Sequence, residues 1–569
     1  MKDSPDTLIG YLQHHEESTP DAPYARYLFS DRDPVEVSFR TTLQRTKQFA
    51  AGYATYGVEK GSVVLVILEH HEDLMPAFLG AMWLGAIPAF LPHPNPRINP
   101  ERYYDNMKVL IDSTRPRAIL TRSQVRALLH QTIPADAQRP TLLTVEDVMV
   151  TGASNEPEPV DAEHAALIQY SSGSTGHQKG AVLSHRAIIA EIDGVGDFFE
   201  ITQEDTIISW VPLYHDWGLV CVALHALFLG TTYTLMSPID WVKRPVMALE
   251  AVDRYRPTIF YQPNFAFNFM TQRVKDKEME GLDLSSIRLM CNGAEPCFYE
   301  SHKMFADRFA RWGFREDSLG IVYGMAEVTN SVIAAGNREP IMVDALDRFI
   351  LQSEQRAVPV DEDSPTVQRM LGVGRALKGS EFKIVDDNRQ EIPERHVGEV
   401  AIRSRARFHG YYRNAEATER ALDEDGWYYT GDMAYRVGDI LFITGRKSDM
   451  IIVGGVNIYP QDIEAIVAEH PAAVAGRIAA IGVDDPELGT QKIVLLVESK
   501  STDQAVLNDL ARYARTEVAQ RLQVIINEVV HVPYRWLIKT SSGKIARIPN
   551  YKRLPELQKP TVSAAVSVA

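Results

Sequence analysis

Short apolar or β-branched runs alternate with stretches of helical periodicity along most of this chain. Residues 8–15 and 43–53 predict helices, the second amphipathic, and residues 63–68 predict a buried strand. A helix over 74–84, a strand near Ile87 and a strand over 117–121 continue the series, whereas 132–158 is polar, contains proline and reads as a connection. Residues 165–168 predict another buried strand and 187–199 a helix. Further strand-like runs fall at 206–211, 231–236, 258–261, 287–291 and 319–322, several leading straight into polar, Gly- or Pro-containing loops. Such alternation predicts an α/β fold with a largely parallel, doubly wound sheet. In these sheets ligands collect at the carboxyl ends of the strands.

The pattern changes further along. Residues 337–370 are polar and irregular, and a β-rich part follows at 381–385 and 397–402. Beyond Gly445, strand-like runs at 478–483, 493–498 and 528–532 bracket helical segments. One of these helices starts near Pro460 and places Ile463, Ile466, Val467 and His470 on one face. The expected organisation is therefore a large N-terminal domain over 1–445, built of parallel-sheet subdomains and a β-rich subdomain. A hinge at 446–449, a small mobile α+β domain over 450–560 and a disordered tail at 561–569 complete it. There are no internal repeats.

Composition narrows the class. At 569 residues the chain exceeds one compact core, and 45% hydrophobic with 24% charged residues is ordinary for a globular protein. A net charge of −16 argues against non-specific nucleic-acid binding. Cys221, Cys291 and Cys297 lack metal-site spacing and are too few for a disulfide framework. The N-terminus shows no signal-peptide pattern, and the longest apolar stretch, 74–91, is punctuated by Gly80, Gly85 and Pro88. A cytoplasmic protein without a membrane span is expected.

Candidate chemistry centres on Tyr170-Ser171-Ser172-Gly173-Ser174-Thr175-Gly176-His177-Gln178-Lys179-Gly180, read as a loop between strand and helix. Three glycines among hydroxyl residues let backbone N–H groups approach anionic oxygens, and Lys179 adds a cation. That is the composition of a polyphosphate cradle, without the Walker Gly-Lys-Ser/Thr ending. After the 206–211 strand, Trp210-Val211-Pro212-Leu213-Tyr214-His215-Asp216-Trp217-Gly218 sets a His–Asp pair among aromatics. Taken alone, His215 is a hydrogen-bonded structural histidine. Tyr261-Gln262-Pro263-Asn264-Phe265-Ala266-Phe267 is apolar with few amides and by itself reads as core. Asn292-Gly293-Ala294-Glu295-Pro296 would admit a flat base beside its backbone. Tyr323-Gly324-Met325-Ala326-Glu327 offers an aromatic face and a carboxylate, which Mg²⁺ would need beside phosphate oxygens. Asp432 suits ribose hydroxyls, and Lys544 sits in a Ser/Gly loop where a lone lysine is ordinarily solvated.

In their order and spacing these motifs, across residues 165–550, resemble the adenylate-forming superfamily of acyl-CoA synthetases, luciferases and peptide-synthetase adenylation domains. The finer resemblance is to fatty acyl-AMP ligases. It is carried by Pro212-Leu213-Tyr214-His215-Asp216, Gln262-Pro263-Asn264-Phe265-Ala266, Asn292-Gly293-Ala294-Glu295-Pro296 and Tyr323-Gly324-Met325-Ala326-Glu327. The 337–370 segment matches the position of an insertion that in those ligases is thought to hold the small domain away from coenzyme A. Two departures keep coenzyme A open as the acceptor. Gly454-Gly455-Val456-Asn457-Ile458-Tyr459-Pro460 looks closer to the CoA-ligase form, and Ser448 stands where relatives carry an Asp or Lys hinge.

The resemblance implies ATP- and Mg²⁺-dependent activation of a fatty or similar apolar carboxylic acid to acyl-AMP. Acyl transfer to the phosphopantetheine thiol of an acyl carrier protein would follow. It implies Lys544, Glu327 and His215 as catalytic residues, with Glu327 holding Mg²⁺. Ser171, Ser172, Gly173, Ser174, Thr175, Gly176 and Lys179 would cover the phosphates. Asn292, Gly293, Ala294, Glu295, Tyr323, Gly324 and Met325 would hold adenine, with Asp432 and Arg446 on ribose. Tyr214, Trp217, Tyr261, Asn264 and Phe265 would line the acid pocket, and Lys447 and Ser448 would form the hinge. The competing expectations are an acyl-CoA synthetase and, more remotely, a non-catalytic binding relative.

Overall fold

The computed structural model describes residues 5–94, 100–133, 139–149, 156–171, 178–453, 456–485, 490–540 and 544–555. Two sheets organise the large domain. The bigger runs Arg375–Ala376, Ser331–Ala335, Leu319–Gly324, Leu289–Asn292, Ile259–Tyr261, Ile207–Ser209, Tyr233–Met236, Pro23–Leu28, Val35–Ser38. From Leu319–Gly324 across to Pro23–Leu28 every neighbouring pair is parallel. A second, wholly parallel sheet orders Ile87–Phe90, Val63–Val66, Ala118–Thr121 and Thr141–Thr144. Val63–Val66 and Ile259–Tyr261 are buried at every position, which is why they read as unbroken apolar runs.

Helix Leu74–Trp83 is buried at all ten positions and packs on helix Phe39–Thr55. Their approach is close. A Cβ on Gly80 would lie 2.6 Å from the Phe49 Cβ, so glycine is what lets the two axes meet. The apolar stretch that includes this helix turns into strand Ile87–Phe90, and no described helix is long and apolar enough to cross a membrane.

Three expectations are corrected. The Gly-rich loop does not lead into a helix: it joins two antiparallel strands, Ala165–Ser171 and Lys179–Ser184, and helix His185–Phe198 starts only afterwards. Residues 132–158 are more than a connection. They contain Thr141–Thr144 and a short helix, Val145–Val148, started by a reciprocal Thr144–Asp147 capping box. Residues 337–370 are ordered too, with strands Val343–Asp347 and Val367–Leu371 pairing antiparallel around helix Arg348–Glu354, whose first N–H groups Asp347 caps. Those strands are only partly buried, so no apolar run announces them.

An antiparallel sheet of Ser380–Val385, Gly398–Ser404, Tyr428–Val437 and Ile440–Arg446 forms the β-rich part. The smaller C-terminal α+β region has cores of its own. Ile463, Ile466 and Val467 pack with Ile493, Leu495 and Leu510, joining helices Pro460–Ala468 and Gln504–Leu522 to the sheet Ala473–Asp485, Thr490–Ser499, Glu528–Val532. His470 lies beyond the helix end and faces Asp509.

Candidate active site

The strands Ile207–Ser209, Ile259–Tyr261, Leu289–Asn292 and Leu319–Gly324 are neighbours running the same way, so the loops that leave them converge on one edge. The first loop ends at His215 and Asp216, with His215 Nδ1 2.6 Å from Asp216 Oδ1. Asp216 also accepts from the Trp217 N–H at 2.8 Å and so caps a π-helix, Trp217–Leu224. Gly218 is required by that turn, because a Cβ would lie 2.4 Å from the Pro212 carbonyl oxygen. Burial pushes the Asp216 carboxyl up, but His215, the Trp217 N–H and Lys544 outweigh it and leave its pKa lowered.

Tyr214 is pinned through its carbonyl, which accepts from Gln169 at 2.9 Å, and burial pushes its phenol up to about 12. Trp217 and Tyr261 are buried and meet edge to face at 5.9 Å. Phe265 is 42% exposed and packs edge-on against Trp210 and Trp241, at the margin of this aromatic group. Asn264 is occupied as a scaffold: its oxygen accepts from Asn292 and the Phe298 N–H, and its amide donates to Ser301.

Asn292 is fully buried and also meets His302 Nε2 at 2.8 Å. Gly293 follows against Val322 and Trp217, and Ala294 takes a left-handed φ of 64°. Glu295 turns back to accept from the Phe265 N–H; desolvation raises its pKa, opposed by Lys544 and Lys539.

Near the end of strand Leu319–Gly324 stands Tyr323, whose hydroxyl donates to Asp432 Oδ2 at 2.8 Å. Asp432 and Arg446 stand opposite each other in an antiparallel pair, and Arg446 Nε donates to Asp432 Oδ1 at 2.8 Å. A Cβ at Gly324 would fall 1.5 Å from the Asn330 carbonyl oxygen, so the chain can turn there only with glycine. Met325 then leads to Glu327 in the short turn Ala326–Val328. Glu327 is buried and accepts from the Tyr411 hydroxyl at 2.7 Å, while the Lys179 ammonium sits 4.8 Å over the Tyr411 ring. Tyr411 thus links Lys179, at the end of the Gly-rich loop, to the metal-candidate carboxylate of Glu327. No sequence signal pointed to it, because it arrives on the two-residue strand Gly410–Tyr411 paired with Lys179–Ser184.

Ser171 ends its strand opposite Lys179, whereas Ser172, Gly173, Ser174, Thr175 and Gly176 lie outside the described residues, as do Gly454 and Gly455. Lys447 is held by Asp387 at 2.7 Å, and its N–H bonds the Gly431 carbonyl; the Ser448 hydroxyl bonds Asp449. Lys544 reaches this cleft from the C-terminal region. The residue is solvent-accessible, yet the crowded cleft desolvates its ammonium and, with Arg446, lowers its pKa, against the pull of Asp432, Glu295 and Asp216. No described cluster of three His, Cys, Asp or Glu side chains suits a metal. A divalent ion here would rest on Glu327 and phosphate oxygens, the sparse ligation typical of Mg²⁺.

Residues 12–412 match the family described as AMP-binding enzyme. A 4-hydroxyphenylalkanoate adenylyltransferase of Mycobacterium marinum is 30% identical over 94% of this chain and 89% of its own length. The medium-chain-fatty-acid–[acyl-carrier-protein] ligase JamA of Moorena producens is 28% identical over 95% of this chain and 94% of its own. A solved structure from work on fatty acyl-adenylate ligases of E. coli and L. pneumophila superposes with a TM-score of 0.89 at 25% identity, covering 97% and 98% of the two chains.

Proposed function

The chain belongs to the AMP-binding enzyme family and is an ATP-dependent ligase that adenylates a carboxylic acid; from that premise we propose that the acid is a fatty acid and that the acyl group passes to the phosphopantetheine thiol of an acyl carrier protein. In the first step a carboxylate oxygen attacks the α-phosphorus, the bond to the β-phosphate oxygen breaks, and acyl-AMP and pyrophosphate result. The charge growing on the α-phosphate needs fixed cations. Lys544 supplies one between the acid and the phosphate, and Lys179 attends the departing phosphates. Mg²⁺, held by Glu327 and phosphate oxygens, would neutralise phosphate charge. Tyr323 stacks on adenine beside Gly293, Ala294 and Glu295, and Asp432, already oriented by Tyr323 and Arg446, accepts from the ribose hydroxyls. His215, anchored by Asp216, closes the acid pocket.

In the second step a thiol sulfur attacks the acyl carbonyl, its proton is lost, and AMP leaves. Rotation about Lys447–Ser448 would withdraw Lys544 and bring another face of the small domain to the cleft. The observation that carries the carrier-protein reading is a contact made by the ordered 337–370 segment. Arg348 on its helix donates to the Arg521 carbonyl at the end of helix Gln504–Leu522, 3.0 Å away. A strap of this kind favours an acceptor that brings its own docking surface over a small free thiol, and the likeness to JamA points the same way.

The test offers ATP, a medium-chain fatty acid and either holo carrier protein or coenzyme A. Acylated carrier protein should accumulate at least about tenfold faster than acyl-CoA at equal thiol concentration. Equal or faster acyl-CoA formation would make the enzyme an acyl-CoA synthetase.

A further inference from the structure

Beneath the proposed acid site three buried side chains carry polar atoms with no hydrogen-bond partner among the described residues. They are Nε1 of Trp217, the hydroxyl of Tyr261 and Oε2 of Glu191. None of the three residues is more than 2% exposed. They belong to one wall. The Trp217 ring meets Tyr261 edge-on, and Cys221, four residues along the same π-helix, lies with its Sγ 3.7 Å from Glu191 Oε1. Tyr261 and Glu191 are near enough for a charge on Glu191 to add to the burial that raises the Tyr261 phenol. At its upper end the wall borders the nucleotide loop, since a Cβ on Gly293 would sit 3.5 Å from the Trp217 ring edge.

The hydrogen-bonding character of the wall is one-sided. An indole N–H only donates. Burial holds the Tyr261 phenol protonated. Glu191 Oε1 already accepts from the Ser331 N–H at 3.0 Å, and burial raises the carboxyl to about 8, so its other oxygen carries a proton at neutral pH. Three donors therefore stand in an apolar surround without an acceptor, an arrangement that folded proteins avoid unless something fills it. A wall meant for hydrocarbon alone would be satisfied by Phe and Leu.

We propose that this wall binds an oxygen carried by the acid itself, so that the enzyme selects carboxylic acids with a hydroxyl, keto or ether oxygen on an otherwise apolar chain over their unsubstituted counterparts. The inference rests on the acid-activating reading above and narrows its substrate class. Sites built to bond a substrate oxygen discriminate strongly against analogues that lack it, because their own polar groups are then left unpaired.

Acid-dependent ATP–pyrophosphate exchange by the full chain tests this with octanoate, 3-hydroxyoctanoate, 3-oxooctanoate and 8-hydroxyoctanoate. At least one oxygenated acid should exceed octanoate tenfold or more in kcat/KM. That advantage should shrink at least fivefold in Tyr261→Phe, which removes a single oxygen, and likewise in Trp217→Phe. Octanoate matching or beating every oxygenated acid would overturn the proposal, as would an advantage unchanged in both variants. The wild-type comparison decides the matter even where a variant folds poorly. Absence of exchange with any acid would fall on the acid-activating reading instead.

Discussion

Arg547 Nη1 donates to Asp449 Oδ2 at 2.8 Å, so a residue three places beyond Lys544 is tied to the residue that follows Ser448. The same guanidinium holds both oxygens of Glu464, on helix Pro460–Ala468. Asn550 meanwhile bonds Ile538 and Ala546 on either side of the Lys544 turn, and Thr540 closes that turn onto Lys544 itself. Lys544 and the residues flanking it are thus tied through Arg547 to the residue next to the proposed hinge.

Arg547 is accordingly a positioning residue. Arg547→Lys keeps the charge but loses the two-carboxylate fork. It should slow adenylation about tenfold, one missing positioning contact at roughly 1.4 kcal/mol, while the melting temperature moves little. Arg547→Met strands two carboxylates and should cost about 3–5 kcal/mol of stability. Exchange rates and thermal melts of both variants check this; a Lys variant as fast as wild type would dismiss the positioning role.

Tyr323→Phe keeps the ring proposed to stack on adenine and removes only the bond to Asp432. The ATP KM should rise about 3–10-fold, the net worth of one ordinary hydrogen bond, with kcat nearly unchanged, because Asp432 keeps its bond to Arg446. Asp432→Ala also leaves Arg446 without its partner and should lower kcat/KM for ATP by about 10–100-fold. Steady-state kinetics with ATP varied separates the two; identical losses would mean that Asp432 acts only through Tyr323.

Glu191 gives stability a pH dependence. Folded, its carboxyl keeps its proton up to about pH 8; unfolded, it releases it near the ordinary 4.5. Between those limits the folded state binds the extra proton, so this contribution is complete below about 4.5 and declines as pH rises toward about 8. Glu191→Gln cannot ionise and removes the decline. Its melting temperature should gain on wild type steadily from pH 5 to pH 8 in a thermal-shift series, whereas parallel curves would show that the buried carboxyl does not titrate this way.

Arg348→Ala cuts the tie from the 337–370 segment to the Arg521 carbonyl. If that strap keeps free thiols out, acyl-CoA formation should rise severalfold while pyrophosphate exchange stays at the wild-type level. An unchanged preference for carrier protein over coenzyme A would remove the strap from the account of acceptor choice.

What could be read from the chain beforehand follows from how locally each feature is encoded. Val63–Val66 and Ile259–Tyr261 are buried on both faces and stand out as apolar runs, and the strand expected at 528–532 is found at Glu528–Val532. Val343–Asp347 and Val367–Leu371 are half-exposed and form a two-stranded sheet of their own, so their residues look like loop. Lys179–Ser184 pairs with Ala165–Ser171 across the Gly-rich loop, but it opens on Lys179 and Gly180, which read as a continuation of that loop, and its other neighbour, Gly410–Tyr411, is far away in sequence. In the site, Tyr323, Glu327, Asp432 and Arg446 sit in distinctive short motifs, and the fold brings Tyr323, Asp432 and Arg446 into direct contact. Tyr411 meets Glu327 across 84 residues of sequence, and Arg547 meets Asp449 across 98, distances over which no local pattern speaks.

The decisive measurement compares the two half-reactions in Lys544→Ala. Acid-dependent pyrophosphate exchange should fall about 10²–10³-fold, the scale of losing one fixed donor to a charge that develops in the transition state. Transfer from supplied acyl-AMP to holo carrier protein should stay within about fivefold of wild type, because that step does not need the lysine. Loss of both half-reactions to the same extent, or exchange that survives the substitution, would contradict the assignment of Lys544 to adenylation.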